Sequence, residues 1–338
     1  MRKSSLRPVL PRRLRRPRLL LVGCGDVGGR LAQRLLARMG DRWKVIGTAR
    51  SEESLAAIRA LGAVPIAIDL DAPRSARRIA GLASRIVHLA PPQPAGRTDA
   101  RSRRLVAAIG GAARPGRRAT LVYCGTTGVY GDAAGARLDE TRPVAPRSER
   151  AQRRASAERQ LRALARRGMA RVALLRAPGI YAHDRLPTER LRRGTPAIVH
   201  AEDSYSSHIH ADDLAQLLWL ALFRAGNCRA YNAVDSAEMR MGEWFDAVAD
   251  ATGLPRPPRL PRESVREQVS SALWSFLSES RRISNRRILR ELRARLRHAD
   301  PRLALAELRA AAPRAAEPTS AQPSICLVPL RGVEPPTY

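Results

Sequence analysis

LLLVGCGDVGGRLAQRLLARM, residues 19–39, joins an apolar run, a glycine turn and a helix-period segment. Leu19, Leu20, Leu21 and Val22 are spaced as a buried strand, and Val27, Leu31, Leu35 and Leu36 recur at helical intervals. Between them, Gly23, Gly25 and Gly28 fit G-x-G-x-x-G. In a strand–turn–helix setting the first glycine permits the tight turn, the second lets backbone approach a pyrophosphate, and the third lets helix pack on strand. The N–H groups and positive dipole end of the helix, whose first turn holds Asp26 and Val27, then face the phosphates.

Working outward, residues 43–49, 64–68, 85–89, 119–123 and 171–176 read as strands. Residues 51–61 (capped by Ser51), 73–80, 98–110 and 148–167 read as the helices between them. Such alternation implies right-handed βαβ units and a parallel sheet covered on both faces. The expected fold is therefore α/β, a Rossmann doubly wound parallel sheet with a smaller C-terminal substrate lobe. Residues 18–178 form the dinucleotide-binding core. Residues 179–310 form the lobe and return helix 210–224 and strand 229–234 to the core, with a further helix at 241–252 and short helices separated by prolines over 255–310. The basic, proline-punctuated arm 1–17 and the Ala/Pro/Ser tail 311–338 read as disordered. The loop 125–147 follows the fifth strand's carboxyl end, where open α/β sheets bind ligands.

The formal charge of +30 raises the question of nucleic acid. Lys3 and Lys44 are the only lysines, arginines are spread over every segment, and aromatics for base stacking are scarce. This is arginine replacing lysine throughout rather than a localised basic footprint, and no specific nucleic-acid partner is expected. No apolar run reaches the length of a membrane span. Cys24, Cys124, Cys228 and Cys326 form no C-x-x-C pair, and no secretory apolar segment precedes the first strand, so a reduced cytoplasmic setting is expected.

Several segments together resemble the short-chain dehydrogenase/reductase superfamily, in its extended or atypical branch of NAD-dependent epimerase/dehydratase-like proteins. They are VGCGDVGGRLA, Asp69-Leu70 after the third strand, HLAPP after the fourth, TTGVYGD, LDETRPVAP, LLRAPGIYAHDRLP and HIHADDLA, in family order from about Arg18 to about Leu305. The resemblance implies that Asp69 and Leu70 lie by the adenine and that Ala90 and Pro91 line the phosphoribose groove. Asp69 as a cap and Pro91-Pro92 as a plain loop remain the alternatives. Superfamily members often pair through helices flanking the fifth and sixth strands, which raises a homodimer as an expectation.

A site preferring NAD needs a carboxylate about 20 residues past the glycines to accept from the ribose 2′-OH. Thr48, Ala49, Arg50 and Ser51 stand there instead. A guanidinium clamps a 2′-phosphate through charge and paired donors, so the expected cofactor is NADP, with Arg50 as main determinant, Ser51 as helper and NAD as the alternative. The competing reading of Arg50 is a solvated surface side chain.

The resemblance also implies a Ser or Thr at the end of the fifth strand and a Tyr-x-x-x-Lys pair on the next helix. Thr126 fills the first slot. Matching Pro146, Ser148 and Glu158 to the pattern puts Arg150 in the Tyr position and Arg154 in the Lys position. Arginine stays protonated, so Arg150 cannot exchange a proton near neutrality, whereas Arg154 can still offer charge to the ribose. Both could also belong to a solvated helix face. Tyr130, in the loop with Thr126, is the candidate for proton transfer; Tyr123 ends the strand, and His183 and Asp184 fall in the loop after the sixth. His208 and His210, with Asp212 close by, lack a third ligand at sensible metal spacing, and no metal is expected. The sequence thus leads to an NAD(P)-dependent oxidoreductase or epimerase/dehydratase acting on a small carbonyl or sugar-like substrate, with Thr126, Tyr130 and Arg154 in the site. A degenerate NADP-binding sensor or scaffold is the alternative.

Overall fold

The structure, a computed structural model, describes residues 16–113 and 118–311. The proposed arm up to residue 15 and the tail from 312 lie outside the described residues, and Pro17 is already tied to the sheet, its carbonyl accepting from Lys44 N at 2.9 Å.

Seven parallel strands form the central sheet: β1 (Arg18–Val22), β2 (Lys44–Ala49), β3 (Val64–Ala67), β4 (Arg85–His88), β5 (Ala119–Thr126), β6 (Ala170–Ala177) and β7 (Arg229–Asn232). Their order is β7-β6-β5-β4-β1-β2-β3. The order reverses direction beside β1, and such a switch point opens a ligand crevice at the strands' carboxyl ends.

The apolar run at 19–22 is explained by burial on two sides. Leu19 and Leu21 join one core cluster with Val27, Leu31 and Leu35 of α1 (Asp26–Met39) and Leu214, Leu217 and Leu218 of α6 (Ala211–Arg224). Leu20 and Val22 join the opposite cluster with Leu105 and Ile109 of α4 (Ala100–Gly111) and Leu161 and Leu164 of α5 (Glu149–Arg166). Each fully buried leucine contributes about 1.5–3 kcal/mol, so the strand is pinned from both faces. On the first face α2 (Glu52–Ala60) adds Ile58, and on the second α3 (Pro73–Arg77) adds Ala76.

A third apolar cluster surrounds α7 (Met241–Thr252), where Trp244, Phe245 and Val248 meet Leu191, Ile198, Val265, Leu277 and Leu305. Short strand pairs bind this part to the loops of the core. Gly179–Tyr181 runs beside His208–His210, and Arg137–Leu138 beside Arg282–Ile283. Two strand ends differ from expectation by more than one residue. β5 continues through Thr126 because its pairing with β6 extends to Ala177. β7 stops at Asn232, the side chain of which is taken by Tyr130. The last helix among the described residues, Pro301–Ala311, reaches the first residue of the segment read as tail.

Candidate active site

Gly23 has φ +81°, and a Cβ there would stand 2.6 Å from the backbone of Ala90. The turn therefore closes directly against the end of β4, where Leu89 N and Ala90 N both donate to Val22 O. Thr48 secures it from β2, its Oγ1 accepting from Gly23 N at 3.0 Å. At Gly25 a Cβ would meet nothing within 4 Å, and no side chain caps α1. Open space in front of uncapped first-turn N–H groups fits a diphosphate. A Cβ at Gly28 would stand 3.1 Å from Leu89 Cδ1, so glycine lets α1 pack against the end of β4 there. A groove of about 650 Å³ runs from Gly23, Cys24 and Gly25 past Arg50, Ser51 and Leu70 to Ala90, Pro91 and Arg101. The residues present thus fit an adenine dinucleotide.

The predicted groove residues divide by role. Gly23, Gly25, Arg50, Ser51, Leu70, Ala90 and Pro91 line it. Val27 is buried in the core, so only its backbone can serve the groove. Asp69 is spent on its own turn: Oδ1 accepts from Asp71 N at 2.9 Å, and Asp69 N donates to Ser75 Oγ. Ser51 caps α2, accepting from Ser54 N. Asp26 faces two guanidiniums, Arg30 at 2.6 Å and Arg185 at 2.5 Å. Partial burial pushes its carboxyl up, and those two cations more than reverse this, holding it below the ordinary value. Arg30 also binds Asp184 and Asp212, so this one side chain ties α1 to the loop after β6 and to the start of α6.

At the groove's far end Arg50 is 65% exposed and lies 3.8 Å from Asp71, which Arg101 holds at 2.5 Å and Arg104 approaches to 3.7 Å. Arg50 is the loosest of the three and the one free to turn toward a ligand. Sequence reasoning missed Arg101 because nothing in the helix pattern marks it as reaching back to Asp71, beyond the end of β3.

Beyond β5 and β6 lies a second hollow, about 520 Å³, lined by Thr126, Ser148, Arg150, Tyr181, Arg185, Arg190, Tyr205, His208, Trp244 and Arg281 among others. Thr126 Oγ1 accepts from Gly128 N at 3.2 Å, which leaves its proton for a ligand. Arg150 reaches the same cavity and stands 4.7 Å over Phe276. Arg154 does not reach it: Nη1 donates to Tyr123 Oη at 3.3 Å and to Cys124 O at 3.2 Å beneath the strand end. Burial pushes the Tyr123 hydroxyl up to about 12 against the pull of Arg154.

The structure does not bring Tyr130 to the cavity. Its ring is buried under the Arg176 guanidinium at 4.7 Å, and its hydroxyl donates to Asn232 Oδ1 at 2.7 Å. An apolar shell on one side and a committed hydroxyl on the other give it a structural place. Tyr181, at the end of the short strand after β6, lines the cavity. Arg190, Trp244 and Arg281 carried no motif and became visible only when the later segments folded over β5 and β6.

A sequence model of the NAD dependent epimerase/dehydratase family matches residues 19–233. Among solved structures, a functionally unknown conserved protein from Silicibacter pomeroyi DSS is 30% identical, with TM-score 0.73, covering 87% of this chain and 98% of that one. UDP-glucose 4-epimerase from Thermotoga maritima, solved with UDP-glucose, is 17% identical with TM-score 0.68, covering 87% and 99%. A dTDP-glucose 4,6-dehydratase from Bacillus anthracis str. Ames, solved in complex with NAD, is 14% identical with TM-score 0.68, covering 86% and 96%. No curated protein matches the chain.

Proposed function

This chain belongs to the NAD dependent epimerase/dehydratase family, and from that premise we propose that it binds NADP in the glycine-turn groove and acts on a small anionic carbonyl or sugar-like substrate. One observation carries the reading: the groove and the Thr126 cavity open at the carboxyl ends of adjacent strands, β4 and β5. The bound dinucleotide supplies hydride exchange at its nicotinamide ring. Arg50 meets the 2′-phosphate, with Ser51 beside it.

In the cavity the Thr126 hydroxyl donates to the substrate oxygen and orients it. Arg150 holds negative charge that develops on that oxygen, although a guanidinium neither gives nor takes the proton. Arg185 and Arg281 line the same space but are paired with Asp26 and Glu279, so Arg190, with Arg150, is the charge that favours an anionic substrate. Arg190 Nε and Nη1, with the Tyr181 hydroxyl, are buried without a hydrogen-bond partner among the described residues, and a polar ligand would satisfy them. Among the described residues no helix is long and apolar enough to cross a membrane.

Arg150 in the tyrosine position also favours a second reading, a dinucleotide-holding sensor or scaffold without turnover. A thermal-shift screen with NAD, NADP and their reduced forms, followed by a carbonyl and nucleotide-sugar panel read at the reduced-nicotinamide absorbance, separates the two. Stabilisation by NADP with turnover supports the enzyme, stabilisation without turnover on any panel member supports the sensor, and no stabilisation by any dinucleotide overturns both.

A further inference from the structure

We infer that the chain binds one divalent transition-metal ion between His210, Asp212 and His298. This site is independent of the dinucleotide reading. In the sequence His208 and His210 lack a third ligand, and the fold removes His208 from the set by stacking it on Trp244 with ring centroids 4.3 Å apart. In its place the chain returns His298 from its far end. The ligand-capable atoms of His210, Asp212 and His298 lie within 4.8 Å of one another. Donors about 2.0–2.2 Å from a tetrahedral zinc stand roughly 3.4 Å apart, a separation that modest side-chain rotation reaches.

His298 is held where it is. Asp213, buried at the start of α6, accepts from Arg297 N and His298 N, both at 2.8 Å. The helix turn that carries His210 and Asp212 therefore also fixes the backbone of the third ligand. The His210 and His298 rings stand 3.9 Å apart, and each carries a nitrogen lone pair when neutral. Asp212 meets Arg30 through Oδ1 at 3.1 Å, leaving Oδ2 for an ion. The Asp212 N–H contact to His210 Nδ1, at 3.2 Å, is long enough for ligation to replace it.

These groups open on a hollow of about 300 Å³ that His183 and Glu307 also line, and either could complete the coordination. Two imidazoles and a carboxylate select zinc, cobalt or nickel over magnesium and calcium, which prefer all-oxygen sets. Bound there, the ion would clip the chain around residues 297–298 to the core.

The test uses the full chain without a histidine tag, stripped by chelator and titrated with Zn²⁺, Co²⁺ and Mg²⁺. The expected result is one equivalent of Zn²⁺, visible d–d absorption with Co²⁺, no Mg²⁺ uptake, and a higher unfolding midpoint with Zn²⁺. His298→Ala and the size-conserving His298→Gln each weaken Zn²⁺ by at least about tenfold while the metal-free unfolding midpoint stays close to that of the parent. Absence of stoichiometric Zn²⁺ uptake, equal uptake of Mg²⁺, or undiminished Zn²⁺ affinity in both variants would overturn the inference.

Discussion

Arg154 donates to the Tyr123 hydroxyl at 3.3 Å, from the helix position where the family resemblance implies a lysine. The guanidinium is drawn below the strand end because two acceptors wait there, Tyr123 Oη and Cys124 O, in a setting where unpaired polar groups are costly. Replacing it with Ala should leave both acceptors unpaired and lower stability by about 1–3 kcal/mol. Arg150→Ala, by contrast, should leave the denaturation midpoint nearly unchanged and weaken the anionic substrate. Chemical denaturation of both variants beside substrate affinity checks this division.

Gly23 and Gly25 should fail in different ways. Gly23→Ala combines a left-handed φ with backbone contact at 2.6 Å and should cost about 2 kcal/mol or more. Gly25→Ala adds a methyl to open space, so stability should stay within about 0.5 kcal/mol while the methyl blocks the diphosphate. Calorimetric dinucleotide affinity should then fall at least about tenfold, the equivalent of 1.4 kcal/mol. A Gly25→Ala protein that binds dinucleotide like the parent would remove the groove assignment.

How far the sequence reaches follows from these residues. The glycine turn, the alternating strands and helices, and the Thr126 slot are local patterns, legible because each depends on neighbours within a few positions. Tyr130 misled because its loop position suggested access, whereas Asn232 and Arg176, distant in sequence, hold it in the core. Arg101 and His298 acquire their partners through long-range packing, for which no periodicity exists to read.

The proposed preference for NADP rests on Arg50. Arg50→Ala should lower NADP affinity about tenfold to a hundredfold, the range expected on losing paired charged donors, while NAD affinity changes little. Side-by-side titrations with both dinucleotides measure it. Tighter binding of NAD by the parent would reverse the preference.

Arg176 and Glu158 form a buried pair with parallel bonds of 2.9 and 2.7 Å, both side chains being at most 5% exposed. Arg176→Met would strand the carboxylate and should cost about 3–5 kcal/mol. Adding Glu158→Leu removes the stranded charge and should recover most of that loss, which a double-mutant cycle by denaturation would show.

His88 makes the stability depend on pH. Burial pushes its imidazole down to about 4, and its Nε2 sits 2.9 Å from Ser102 Oγ. The unfolded chain, with an imidazole near 6.5, then binds more protons than the folded one between pH 6.5 and about 4. The stabilising contribution of the neutral ring is thus complete above pH 6.5 and is lost as pH falls through that window, in total on the order of 3 kcal/mol. His88→Gln keeps a polar partner for Ser102 but cannot titrate. Its denaturant midpoint should therefore fall less than that of the parent between pH 7 and pH 5, and equal losses in the two proteins would show that other groups set the acid limit.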